Sequence, residues 1–360
     1  MPIQICQTET ILQLKPFEKW KNKVYEITFT SVQPGRGSPS MLVSLQHYPG
    51  GPTLDVECTQ FNPTNPNQIR DHRKTPEGWF WRQTTAYCLT RPELDISEYI
   101  QRCIPASLIE ACSRPGHASF FFRLASSYRK EPIITHCLEL YTTLRLVRNG
   151  WRFAGLENLG MTPVTDATSP WYGITLIPRM VQNQLNHKLE LRIIELDEKI
   201  LRQCNRMLRK RARRQWMVLV LVFFLLLHVR EIDTARNIFW RRYSDPAGFW
   251  IHPWKPATII DGAIASCNSL LSHFHYAVGY KSLQMDWERQ KSKDLVENDP
   301  TFITTIKELQ AYIIILKERG NIGRMAHTLY KDGDPDSVDF TISSLLFGSM
   351  KESVEVKGFY

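Results

Sequence analysis

Apolar positions along the chain change period twice. Up to about residue 75 they alternate in short β-branched runs, as in Val24–Val32, Met41–Leu45 and Leu54–Cys58, separated by the turn-forming stretches PGRGSPS and YPGGPT. The Asn/Pro-rich segment 62–76 follows and reads as a loop and as the best domain boundary, with the aromatic GWFWRQ (78–83) after it, expected to dock onto the helical part. From about Asp95 the spacing becomes helical. Ile133, Cys137, Leu140, Tyr141, Leu144 and Val147 recur at steps of three and four, between Pro132 as a first-turn residue and Asn149-Gly150 as a stop. Residues 151–178, rich in Gly and Pro, read as one long loop. A long helix then carries Val181, Leu185, Leu189, Ile193, Leu196 and Ile200 on one face and Glu190, Glu195, Asp197, Glu198 and Lys199 on the other.

The next segment dominates the pattern. Trp216 to Leu227 is twelve uninterrupted apolar residues. At about 1.5 Å per residue a helix of that length falls short of a bilayer core of about 30 Å, so a buried core helix is expected. Beyond it, Ile232, Ala235, Ile238 and Phe239 continue an amphipathic pattern that breaks at Ser244-Asp245-Pro246. Pro253 and Pro256 bracket a stiff connector. The segment 258–278 shows Ile260, Ile264, Cys267, Leu271, Phe274 and Val278 on one face, with Gly279 as its stop. Asp299-Pro300 opens a further helix as N-cap and first-turn proline, with Phe302, Ile306, Leu309, Ile313 and Leu316 inward. A weaker helix is expected over 338–347. The reading is mainly α: a multi-helix domain over 76–350, a small extended or short-strand N-terminal arm over 1–75, and a loose tail over 351–360.

Composition changes this picture little, since 43% hydrophobic and 22% charged residues describe an ordinary folded chain. Charge changes it more. Between Arg206 and Lys255 there are eleven Lys/Arg against three Asp/Glu, which accounts for nearly all of the net +9. Within that window Arg209, Lys210, Arg211, Arg213 and Arg214 form a candidate nuclear-import or anion-contact run. A solvated helix end, with cations placed favourably on the C-terminal dipole, explains the same residues.

Candidate chemistry is thin. The eight cysteines form no C-x-x-C pair, so no zinc site is expected, and no cofactor. No signal peptide and no usable N-x-S/T acceptor are seen, which favours a reducing intracellular compartment. His273 and His275 read H-x-H, but on a helix two residues apart project about 200° from each other and do not share an ion. Asp332, Asp334, Asp336 and Asp339 imitate the start of a calcium loop, yet Ser337 and Ser343 stand where its glycine and bidentate glutamate belong. No phosphate-cradling, dinucleotide, zinc-protease or nucleophile-elbow motif occurs, and no catalytic residue is proposed.

The order LLLHVREI, FWIHPWKP, then a Cys-Asn-x-Leu-Leu-x-His-Phe-His-Tyr helix ending in MDW resembles the C-terminal regulatory region of fungal zinc-cluster transcription factors. AYCLT (86–90), LRLVRNGWRFAGLENLGM (144–161) and LIPRMVQNQL (176–185) extend that similarity over roughly 84–347. It implies a nuclear transcription regulator that works through protein partners of the transcription machinery or an effector switch, and it allows a homodimer. The family's six-cysteine DNA-binding cluster is missing here, so DNA contact is expected only with that module restored. A helical core could hold a small effector, though no residue can be named for it. The alternative is a membrane-associated protein anchored through 216–229 beside anionic lipid.

Overall fold

A computed structural model describes residues 32, 35, 37–75, 78–114, 117–165, 167, 172–210, 215–243, 256–277 and 285–318. Among the described residues six strands, β1 (Met41–Gln46), β2 (Leu54–Gln60), β3 (Arg70–Thr75), β4 (Gly78–Gln83), β5 (Tyr87–Leu89) and β6 (Arg152–Phe153), accompany eight α-helices. The helices are α1 (Ser97–Ser113), α2 (His117–Ser127), α3 (Pro132–Asn149), α4 (Arg179–Lys210), α5 (Trp216–Tyr243), α6 (Pro256–Ala277), the single turn α7 (Gln290–Lys293) and α8 (Pro300–Glu318). The protein is mainly α with a small β part on its N-terminal side.

The sheet is antiparallel, in the order β5-β2-β1-β6, and β3-β4 form a separate hairpin. Alternation along β1 and β2 buries Val43, Leu45, Leu54, Val56 and Cys58 and turns Asp55 and Glu57 outward, as a half-buried sheet requires. Those buried side chains join one cluster with the helices. Strands from both sides of the 62–76 segment share this sheet, because β2 pairs with β5 and β1 with β6. Residues 70–83 form a hairpin where the sequence predicts a loop and an aromatic cluster. Arg-Asp-His-Arg-Lys-Thr has no apolar alternation, so only pairing with β4 reveals it as a strand. The side chains of 71–81 lie outside the described residues.

The helical half is built around α3, which is buried on nearly every face by α1, α4 and α5. Its start is preset by Pro132, and Gly150 ends it at φ 70°, a left-handed value that glycine adopts freely. Burial beyond one stripe forces polar side chains inward, some with partners and some, such as Thr142 Oγ1, without a hydrogen bond. Glu139 is held by Arg192 of α4, with Nε and Nη2 at 2.7 and 2.6 Å. All six expected inward positions of α4, from Val181 to Ile200, are buried. So is Asp197, which the sequence places on the charged face. The reason stands opposite it: Arg230 Nη2 of α5 lies 2.5 Å from Asp197 Oδ1, and both residues are 1–2% exposed.

The apolar run forms the first half of α5 and lies in the protein's own core. Met217 to Leu227 are all buried and Trp216 is half-buried. Phe121 of α2 stacks on Phe224 with centroids 3.9 Å apart, and Phe274 of α6 meets Phe223 edge-on at 5.6 Å. Each such side chain contributes about 1.5–3 kcal/mol through burial. Asp299 Oδ1 accepts hydrogen bonds from the backbone N–H of Thr301 and Phe302, so the expected cap of α8 is in place, and Phe302 and Ile306 are buried behind it. The readings on Val24–Val32, the 244–255 connector, Gly279, the 332–339 aspartates, 338–347 and the tail lie outside the described residues.

Candidate functional site

Beyond Leu227, helix α5 changes chemistry within one turn without leaving the interior. His228 Nδ1 is 3.0 Å from Glu231 Oε2, and its ring stacks near those of Phe224 and Tyr141. Arg230 ties α5 to Asp197 of α4 and lies 3.5 Å from Ser266 Oγ of α6. Glu231, Asp233 and Thr234 are buried beside them. The Cys267 thiol is pushed up to about 12, chiefly by burial, so it stays protonated and is a poor nucleophile. Desolvating Asp197 and Arg230 opposes their attraction, so the pair contributes little net stability while making either residue hard to remove alone. This is a charged joint between three helices.

Open space lies on the sheet side. A cleft of about 840 Å³ runs between the 60–63 and 82–87 segments and the 159–162 loop. Phe61, Ile69 and Met161 give it an apolar wall, and Gln60, Arg82 and Thr85 a polar one. Arg82 donates to the Thr162 carbonyl, tying the hairpin to the loop.

A smaller pocket of about 280 Å³ opens where the end of β1 meets the end of α3 and β6. His47, Tyr48, Arg145, Arg148, Asn149 and Arg152 line it. The turn at Gly150 and the pairing of Arg152 with Gln46 bring these segments together. His47 is held firmly: Nδ1 and the Tyr99 hydroxyl share a 2.7 Å hydrogen bond, and its ring packs on Trp151 at 3.9 Å. Burial, and then the Arg152 charge, bring its pKa down to about 3, so the ring is neutral at physiological pH. Arg145 reaches Glu110 of α1, which Arg114 also engages at 2.5 Å. His47 Nε2, Arg145 Nε and Arg152 Nε are buried without a hydrogen-bond partner. Leaving one such group unsatisfied costs about 1–3 kcal/mol.

Of the basic run, Arg209 is exposed at the end of α4, while the side chain of Lys210 and all of Arg211, Arg213 and Arg214 lie outside the described residues. His273 and His275 both sit on α6, the first half-buried and the second buried. Among the described residues no group of three or more His, Cys, Asp or Glu could hold a metal, and no helix is long and apolar enough to cross a membrane. The anchor alternative also lacks a lipid-facing surface, because 217–227 are covered by α2, α3 and α6.

A family model described as KpeA transcription factor matches residues 12–344. The chain belongs to the KpeA transcription factor family. That match takes in every described helix and strand, the buried joint and both pockets, so the KpeA family is defined over this architecture and not over one fragment of it. Membership in the KpeA family assigns the chain to transcription regulation. No curated protein and no solved structure matches.

Sequence reasoning missed the small pocket. The signal was present in Arg145-x-x-Arg148-Asn-Gly-x-Arg152, three arginines around a helix stop. Its histidine lies about a hundred positions earlier, and only the β1–β6 pairing joins the two.

Proposed function

We propose that this chain is the regulatory region of a nuclear transcription factor of the fungal zinc-cluster type, acting through contacts with the transcription machinery or an effector switch. The observation that carries the reading is the transcription-factor family match over 12–344, on a helical fold whose greasiest segment is spent on its own core. In this reading the chain is a regulator and not a catalyst. Its partners are proteins of the transcription machinery, the fold allows a homodimer, and sequence-specific DNA contact is expected only with a six-cysteine cluster restored. The basic run at Arg209, Lys210, Arg211, Arg213 and Arg214 serves nuclear import, as the exposure of Arg209 allows.

The test is a fusion of residues 1–360 to an unrelated DNA-binding domain, read on a reporter carrying that domain's site. A several-fold change in reporter output is expected, abolished by Phe224→Asp. Sequence-selective DNA binding by the purified chain alone, with a reporter unmoved by the fusion, would overturn the reading.

A further inference from the structure

Three guanidinium groups and a buried imidazole border the small pocket, and no acidic side chain is among its described lining residues. The carboxylate that engages Arg145, Glu110, is divided between Arg145 and Arg114. Arginines at a helix C-terminus are ordinary, because they face its partial negative charge. That explains Arg148, in the last turn of α3. It leaves unexplained why His47, 1% exposed, and Arg145, 5% exposed, each keep a nitrogen without a partner. With Nδ1 bonded to Tyr99, Nε2 is on the opposite edge of a ring that borders the pocket. Where Tyr99 donates to Nδ1, Nε2 carries the proton and serves as a donor.

We propose that the pocket bounded by His47, Arg145, Arg148 and Arg152 binds a small anion bearing a carboxylate or phosphate group. Guanidinium forks match the planar or tetrahedral oxygens of such groups, and three of them outweigh the helix end's partial charge of about −0.5. At about 280 Å³ the space lies just below the range of about 300–1,000 Å³ that suits drug-sized ligands, so the ligand is an inorganic anion or a small metabolite. The bound anion would tie α3 to β1 and β6. Its use as a regulatory effector rests on the reading above, whereas the binding does not.

Calorimetry on the full 360-residue chain tests it, with inorganic phosphate, glycerol phosphate and citrate as separate probes. At least one is expected to bind with Kd tighter than about 1 mM. A preference for glycerol phosphate over inorganic phosphate would point to a phosphorylated metabolite, and a preference for citrate to a carboxylate. The double variant Arg148→Gln/Arg152→Gln should weaken binding at least about tenfold, about one factor of ten for each 1.4 kcal/mol lost. The exposed Lys199→Gln on α4 should leave it unchanged. His47→Phe keeps a ring against Trp151 and removes Nε2, and it should weaken binding while circular dichroism reports a native helix content. Equal affinity in the double variant, or no probe binding tighter than about 1 mM, would overturn the proposal. So would binding seen only with duplex DNA or polyglutamate. Binding lost in the double variant with the reporter unmoved would remove the regulatory role and leave the site standing.

Discussion

The first half of α5 and the side chains of His47 and Arg145 are both shielded from water, but they treat polar atoms in opposite ways. From Met217 to Leu227 there is no side-chain polar atom to satisfy, and rings from α2 and α6 close on Phe223 and Phe224. Around His47 and Arg145, burial leaves nitrogens without partners and like charges side by side. Desolvation in the first place is almost pure gain, at about 25 cal/mol per Å² of apolar surface. In the second it is a cost that folding alone does not recover. The apolar run therefore stabilises the fold, whereas the pocket carries polar groups whose burial folding does not repay.

The largest effect should come from placing a charge in the dry region. Phe224→Asp removes a ring stacked on Phe121 and leaves a carboxylate with no partner among Val220, Leu221 and Leu227. The expected loss exceeds about 5 kcal/mol, comparable with the whole stability of a domain. Loss of soluble protein, or of the cooperative transition followed by circular dichroism, is the predicted readout. A variant that melts like the parent would show that this face is not core. Next comes the charged joint just beyond. Asp197→Ala strands Arg230 at 1% exposure and should cost about 3–5 kcal/mol. The paired replacement Asp197→Leu/Arg230→Met should recover most of that, because it removes both charges together. Urea unfolding of the three proteins decides it.

The contrast also marks what could be read from residues alone. The apolar run, the stripe of α4, the proline start and glycine stop of α3 and the Asp299 cap are local signals of period and capping, and each appears as expected. Three features needed a partner far along the chain. Asp197 reads as solvent-facing until Arg230 arrives from α5. The strand 70–75 reads as loop until 78–83 pairs with it. His47 carries no local signal of its own, and only the pairing of β1 with β6 brings Arg152 beside it. Periodicity reports which side of an element is apolar. It is silent on which polar residues will meet.

Acid should act on the His47 region before it reaches the apolar core. The imidazole has a folded-state pKa of about 3 against an ordinary 6.5, so the unfolded chain binds the extra proton between those values. The stability of the neutral form is complete above about pH 6.5 and falls as pH drops toward 3, by at most about 1.4 kcal/mol for each pH unit. Urea midpoints measured at pH 7, 6 and 5 should decline for the parent and decline less for His47→Phe. Parallel declines in the two proteins would place the acid sensitivity elsewhere.

The smallest effect should come from the pocket's rim. Arg148 is half-buried, belongs to the last turn of α3 and shares the pocket with Arg145 and Arg152. Arg148→Gln gives up a favourable cation at the helix end, worth about 0.3–1 kcal/mol, and relieves repulsion from two neighbouring guanidiniums of similar size. The two changes oppose each other, so stability in low-phosphate buffer should stay within about 0.5 kcal/mol of the parent. Added salt screens both terms and should shrink even that difference. A loss as large as that for Asp197→Ala would mean that Arg148 is part of the scaffold, and the boundary between the dry apolar run and the charged pocket would have to be redrawn to put the end of α3 on the core side.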